Sequence, residues 1–185
     1  MTNPLRVTVL VGNPKPASRT YAAAVHATGA LVEEVRRTLP DIETVTVVAV
    51  DLATLGGDLL AETPPAAVRA ALDDVTAADV LVVGTPAYKG TYTGLLKVFL
   101  DRLPHLALGG VLAVPVIVAA SPQHLASVEL HLQPLLEELG ARVPTGGLAA
   151  LETELVELEN YLEPWVGRVA PVLAEALRTR ERLAS

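Results

Sequence analysis

Apolar residues along this chain gather in five short runs rich in β-branched side chains. They are RVTVLVG (Arg6–Gly12), TVTVVAV (Thr44–Val50), DVLVVG (Asp79–Gly84), VLAVPVIVA (Val111–Ala119) and, more weakly, PTGGLAAL (Pro144–Leu151). The first, third and fourth are nearly continuous rather than alternating. Such runs suit parallel strands covered on both faces. Pro115 interrupts the fourth, because proline removes a ladder donor.

Between the runs the pattern takes on the period of a helix. Thr20–Leu39 is rich in alanine and valine and stops at Pro40. Thr63 and Pro64 read as an N-cap and first-turn proline ahead of PAAVRAALDDV. Gly94–Leu103 is amphipathic and stops at Pro104. His124–Leu139 ends at Gly140, a C-cap residue. A last helix is expected over Leu155–Leu183, kinked or broken near Pro164 and Pro171. Strand and helix thus alternate five times. That predicts a single α/β domain over residues 1–185, a three-layer flavodoxin-like sandwich with a five-stranded parallel sheet in the order 2-1-3-4-5. The segment DLATLGGDLLAETPP after the second strand is the longest irregular stretch, a candidate mobile or interface segment.

Composition narrows the class. Of 185 residues, 51% are hydrophobic and 19% charged, which excludes a disordered chain. No apolar run reaches about 18 residues, so no membrane helix is expected. MTNPLRVTVLVG lacks a basic segment with a cleavage site, which makes the cytoplasm the expected compartment. There is no cysteine, so disulfides, thiolate metal sites and cysteine nucleophiles are excluded. A net charge of −7 argues against a nucleic-acid partner. The basic end RTRERLAS reads as a helix C-terminus, which favours cations.

In an open sheet of this order, ligands bind beyond the carboxyl ends of strands one and three, where the strand order reverses. The loops to inspect are therefore Gly12–Thr20, Thr85–Thr93 and Ala119–His124. The first reads GNPKPASRT. Gly12 permits a tight exit from the strand, and Ser18, Arg19 and Thr20 stand where the helix begins. Free N–H groups and the helix dipole favour an anion there. Two hydroxyls and a guanidinium add donors with phosphate geometry, and Lys15 adds a point charge. This reads as the phosphate site of a mononucleotide; the plainer reading is that Ser18 or Thr20 is an N-cap. Neither G-x-G-x-x-G nor G-x-x-x-x-G-K-[ST] is present, so a Rossmann dinucleotide site and a P-loop are not expected. Asp51 reads as a strand-end or capping residue.

The second loop reads TPAYKGTYTG. Pro86 ends the strand, and the backbone of Pro86–Lys89 then faces the crevice. A flat heteroaromatic ring needs such an edge, with N–H groups for its oxygens and nitrogens. Tyr88 can stack on it or cover it. Equally, Tyr88 and Tyr92 can be ordinary half-buried packing residues.

With these segments the chain resembles the NAD(P)H-dependent FMN reductase family of flavodoxin-like proteins. Within it, the chain is similar to the reductase components of two-component alkanesulfonate monooxygenase systems. GNPKPASRT, TPAYKGTYTGLLKVFLDRLP and HLASVELHLQPLLEELGA carry the resemblance, in order, from about residue 5 to 142. The resemblance implies FMN with its phosphate at Ser18, Arg19 and Thr20, with Asn13 and Lys15 beside it. It implies the isoalloxazine along Pro86, Ala87, Tyr88 and Lys89, with Ser121 of the third loop on the other side. It also implies NADPH or NADH as hydride donor and a flavin-dependent monooxygenase as recipient of reduced FMN. A homodimer or homotetramer is implied too, with Tyr92 in a π-helical turn at its interface. A mean hydropathy of +0.42 agrees with extra buried surface.

Two departures stand out. Asn13 replaces the family's usual serine. Ala119-Ala120-Ser121 stands in place of Gly-Gly-[Ser/Thr], and two added Cβ atoms are expected to weaken flavin binding or shift the ring. Hydride transfer between cofactors requires no acid–base dyad, and no residue is assigned as catalytic; Lys89 and nearby amides are the candidates for stabilising charge. His124 and His131 are expected on one helical face, without a metal. ETELVELENYLE reads as a solvated helical face. Two other functions compete: a quinone or azo-dye reductase with tightly bound FMN, and a flavodoxin-type electron carrier. The latter usually carries Thr-x-Thr-Gly-x-Thr where this chain has NPKPASRT.

Overall fold

The computed structural model describes residues 4–184, and side chains through Arg180. Five parallel strands form one sheet: β1 (Leu5–Val11), β2 (Val45–Asp51), β3 (Val80–Pro86), β4 (Leu112–Ala119) and β5 (Leu148–Leu151). Their order is β2-β1-β3-β4-β5, as the alternation of runs predicted. The helices are α1 (Arg19–Thr38), α2 (Ala66–Thr76), α3 (Gly94–Leu100), α4 (Gln133–Glu138) and α5 (Leu158–Ala184). None among the described residues is long and apolar enough to cross a membrane.

Alternate strand residues feed two separate cores. Val7, Val9, Val11, Val80, Val82, Val114 and Val116 face α1 and α5, where Ala24, Leu31, Trp165, Val169 and Leu173 cover them. Leu10, Leu81, Val83, Ala113 and Ile117 face the other way, under Val68, Leu96, Phe99 and Leu136. Each valine, leucine, isoleucine or phenylalanine among them contributes about 1.5–3 kcal/mol when fully buried, so these two layers carry most of the stability. β2 lies at the edge, and Val47 there remains 51% exposed.

Pro115 lies within β4 at no cost to the ladder. Ala113 donates to the Arg142 carbonyl, and the Ala119 carbonyl accepts from Glu152. Backbone groups of odd-numbered β4 residues therefore point toward β5. Pairing with β5 begins only at Val116 opposite Leu148. The missing N–H of Pro115 falls in the gap before it.

Several expectations are corrected. Thr63 does not cap α2: Pro65 occupies the N-cap position, with no side-chain hydrogen bond there. A residue preceding proline disfavours helical backbone, so Pro65 keeps Pro64 out of the helix. The Arg69 guanidinium instead donates to the Pro64 carbonyl. The stretch 124–139 is not one helix. It comprises a 3₁₀ turn at Pro122–His124, a π-helical segment at Val128–Leu132 and then α4. Pro134 lacks the N–H that would bond the residue 130 carbonyl, and its ring would crowd that carbonyl; a wider turn relieves both. His124 and His131 consequently share no continuous helical face. The π-helical turn expected at Tyr92 lies in this segment instead. Tyr92 precedes α3 and packs against the core on that side of the sheet.

The last helix is neither broken at Pro164 nor at Pro171; α5 runs through both. The carbonyls they deprive of a donor belong to Asn160 and Gly167, both exposed, so water can serve them. Residues 155–157, expected in this helix, belong instead to a 3₁₀ turn at Glu154–Glu157. The stretch after β2 is built rather than irregular. It holds two 3₁₀ turns, Leu52–Thr54 and Gly56–Leu60, and Arg102 donates to the carbonyls of Leu59 and Ala61 at 2.7 and 3.0 Å.

The start of α5 is tied to β5 by the Tyr161 hydroxyl, which donates to the Ala149 carbonyl at 2.5 Å. Burial, reinforced by the Glu154 carboxylate, raises the phenol above its ordinary pKa. The fold therefore favours the neutral form. Its contribution is complete below the unfolded pKa of about 10 and is lost as pH rises through the higher folded value. Tyr161→Phe is expected to lower stability by about 1 kcal/mol at neutral pH. That difference should shrink in urea unfolding above about pH 10.

Candidate functional site

The carboxyl ends of β1 and β3 are joined through one residue. The Gly12 N–H donates to the Gly84 carbonyl at 2.8 Å. The Gly12 carbonyl accepts from Thr93 Oγ1 at 2.6 Å, and the single Thr85 hydroxyl proton lies between the carbonyls of Pro86 at 3.1 Å and Gly12 at 3.4 Å. Thr93 Oγ1 also accepts from the Leu96 N–H, capping α3. The Thr93 N–H donates to Thr85 Oγ1. A Cβ at Gly12 would come within 2.4 Å of Leu96 Cβ. Glycine is required because the first turn of α3 packs directly on the exit of β1.

Beyond Gly12 the loop folds around buried Asn13. Its side-chain oxygen accepts from the Lys15 N–H at 3.0 Å, and its amide donates to Thr20 Oγ1 at 3.2 Å. Ala17 has a positive φ of 47°, and its N–H donates to the Asp51 carboxylate at 3.1 Å. The other Asp51 oxygen accepts from the Ala53 N–H, so Asp51 is a cap that also anchors the loop. Ser18 is the N-cap of α1, with Oγ accepting from the Tyr21 N–H.

That cap does not exhaust the site. The backbone N–H groups of Ser18, Arg19 and Thr20 find no acceptor among the described residues. The Ser18 and Thr20 oxygens accept hydrogen bonds but donate none there, so their protons are available. Three N–H groups and two hydroxyls at a helix N-terminus fit a phosphate. Lys15 is exposed nearby in the loop. Arg19 is placed differently from its neighbours: its guanidinium donates to Glu152 at 2.6 Å.

The second loop forms a tight turn. The Tyr88 N–H donates to the Thr91 carbonyl at 2.8 Å and the Thr91 N–H returns at 3.3 Å. Lys89 and Gly90 carry φ of 55° and 82°, as a two-residue type I′ turn requires. Upstream, the Ala87 N–H donates to the Val118 carbonyl. Downstream, Ser127 Oγ donates to the Gly90 carbonyl at 2.8 Å, fastening the turn to the segment after β4. Pro86 is buried, Ala87 half-buried, Tyr88 and Lys89 exposed. The N–H groups of Lys89 and Gly90 have no acceptor among the described residues, so this edge can meet the polar rim of a flat heterocycle. In the third loop, Ser121 is half-buried and its carbonyl accepts from the His124 N–H at 3.0 Å. Ala119 ends β4 and belongs to the core, while Ala120 is exposed. Of the two alanines replacing glycine, only Ala120 is exposed where it can affect a ligand. No group of three or more His, Asp or Glu among the described residues is placed to hold a metal.

The sequence assigns no site role to Thr85, Thr93 or Ser127, and it places Glu152 on a solvated helical face, whereas Glu152 lies in the turn after β5 and pairs with Arg19. Thr93 carried a signal, a threonine directly before a helical run, which marks an N-cap. Glu152 carried none, because it lies 133 residues from the arginine it meets.

Residues 5–156 match the family model described as NADPH-dependent FMN reductase. An "FMN reductase (NADPH)" from Pseudomonas aeruginosa is 31% identical, over 100% of this chain and 91% of its own length. The "NADH-dependent FMN reductase SfnF" of Pseudomonas putida is 32% identical, over 88% of this chain and 86% of its own. Among solved structures, an oxidoreductase from Corynebacterium diphtheriae superposes with a TM-score of 0.77 at 26% identity, covering 94% of this chain and 99% of that one. The chain belongs to the NADPH-dependent FMN reductase family, and so to the flavin-dependent oxidoreductases of flavodoxin-like fold.

The contact at Gly12 is open to test. Gly12→Ala places its new carbon against a Cβ that any residue but glycine would supply at position 96. α3 must then move off β1, at an expected loss of about 1–3 kcal/mol. Urea unfolding measures it, and an unchanged midpoint would contradict the close approach.

Proposed function

We propose that this protein passes hydride from NADH or NADPH to FMN and releases the reduced flavin to a separate flavin-dependent monooxygenase. When bound, the nicotinamide and flavin supply the redox chemistry themselves. The chain's part is to seat and orient them. Ser18, Arg19, Thr20, Asn13 and Lys15 hold the phosphate end, and Pro86, Ala87, Tyr88 and Lys89, with Ser121 opposite, line the ring.

One observation carries the reading. At the N-terminus of α1, three N–H groups and two hydroxyl protons find no acceptor among the described residues, at the same end of the sheet as the exposed Tyr88–Thr91 turn. Lys89 and the free N–H groups of that turn are the donors suited to charge that develops on a reduced ring. Tyr88 is half exposed on an open surface, which favours a flavin that exchanges over one held permanently. The link to a monooxygenase rests on the resemblance of TPAYKGTYTGLLKVFLDRLP to reductases of that class. A homodimer or homotetramer follows from the same resemblance, and exposed Leu106 and Leu130 support further burial. Light scattering tests it, with a monomer counting against it.

Purified protein is expected to oxidise NADH or NADPH, with the rate rising on addition of free FMN. Comparing the two donors sets the preference, on which the relatives' names divide. A rate indifferent to FMN but dependent on a quinone or azo dye would favour a reductase with resident flavin. No oxidation with any acceptor would leave an electron carrier. Ser18→Ala and Thr20→Val are each expected to raise the KM for FMN about tenfold, as loss of a hydrogen bond to a charged group does.

A further inference from the structure

Glu152 follows β5 directly, and its place is set by the backbone. Its N–H donates to the Ala119 carbonyl at 2.9 Å. The N–H before it, that of Leu151, donates to the Glu154 carboxylate at 2.6 Å. The residue is thereby fixed at the carboxyl end of the sheet, beside the third loop. From there its carboxylate accepts from Arg19 Nη2 at 2.6 Å. Arg19 is the first residue of α1, between the two hydroxyl residues of the phosphate loop.

The pair is well hydrated. The two side chains are 68% and 39% exposed, and an open groove of about 470 Å³ runs along them, lined by Ala22, His26 and Val156 among others. Exposed pairs of this kind are weak and open readily. A phosphate dianion held by helix N–H groups is the stronger partner for a guanidinium, because it accepts two charge-assisted bonds at once. Yet a guanidinium held on Glu152 cannot turn its planar fork fully onto a phosphate, and the Glu152 carboxylate repels a dianion nearby.

We propose that Glu152 is a residue that sets FMN affinity, by competing with the flavin phosphate for Arg19. The guanidinium leaves Glu152 when the phosphate arrives and returns when it departs. Glu152 thus lowers affinity for the phosphorylated flavin without touching the ring, and makes FMN an exchangeable substrate. This rests on the reading that the phosphate sits at Ser18–Thr20.

The test is a titration of FMN and of riboflavin, which lacks the phosphate, against the full chain and its Glu152→Gln, Arg19→Ala, double and Ser18→Ala variants. Flavin fluorescence gives Kd, and stopped flow gives the release rate. Glu152→Gln is expected to bind FMN about three- to fivefold tighter, equivalent to about 0.7–1 kcal/mol, and to release it more slowly. Riboflavin binding should not change, and the gain should vanish in the Arg19→Ala background. If Ser18→Ala weakens FMN but Glu152→Gln does not tighten it, the competition is overturned and the phosphate site stands. The same holds if Glu152→Gln tightens both flavins equally. If neither Ser18→Ala nor Arg19→Ala alters FMN relative to riboflavin, the phosphate assignment itself fails, and the competition with it.

Discussion

The carbonyl of Gly12 is where the end of β1, the first turn of α3 and the two loops at the switch point are joined. It accepts from the hydroxyl of Thr93, which simultaneously caps α3, while the Thr93 N–H donates to Thr85 Oγ1. This arrangement needs α3 to approach the β1 backbone so closely that no Cβ fits at Gly12. Everything that leads to the ligand loops follows from it. The Asn13–Ser18 loop departs from the residue after Gly12, and the Tyr88–Thr91 turn lies between Thr85 and Thr93. Two loops separated by more than sixty positions are thus held in register by one buried oxygen.

Burial and hydrogen bonding divide the work. The two apolar layers supply the stability, at about 1.5–3 kcal/mol for each fully buried large side chain. Single hydrogen bonds contribute about 0.5–1.5 kcal/mol net, too little to decide the fold but enough to choose one loop conformation among several. Asn13, Asp51 and Ser127 act in this second way. Asp51 holds Ala17 at its positive φ, and Ser127 holds the Lys89–Gly90 turn against the segment after β4. The N–H groups left unpaired among the described residues, at the start of α1 and on that turn, lie at the carboxyl end of the sheet. Their availability comes from helix and turn geometry, which orients donors without giving them partners.

The pattern of apolar runs was enough to order the strands, because a strand covered on both faces must be apolar throughout. The loops were legible as well, since the switch point depends only on strand order. Prolines were the weak point. Pro164 and Pro171 should have interrupted α5, yet the residues whose carbonyls they deprive, Asn160 and Gly167, are exposed. Pro134 was unremarked, yet it accompanies the π-helical segment at 128–132 that breaks up the expected fourth helix. A proline's effect depends on whether the carbonyl it deprives lies in water or against protein, and that is not a local property.

From the chain alone came the doubly wound architecture, the candidate loops and the family resemblance. These rest on hydrophobic periodicity and on contiguous motifs, both carried by neighbouring residues. The tertiary structure decided what distant residues do to one another. It turned Asp51 from a strand-end cap into an anchor for Ala17, and Thr93 into a clamp on Gly12. It buried Ala119 while leaving Ala120 exposed, and it turned Arg19 toward Glu152. Contacts across 34, 81 and 133 positions leave no local pattern, because they exist only once both cores have packed and brought the strand ends side by side.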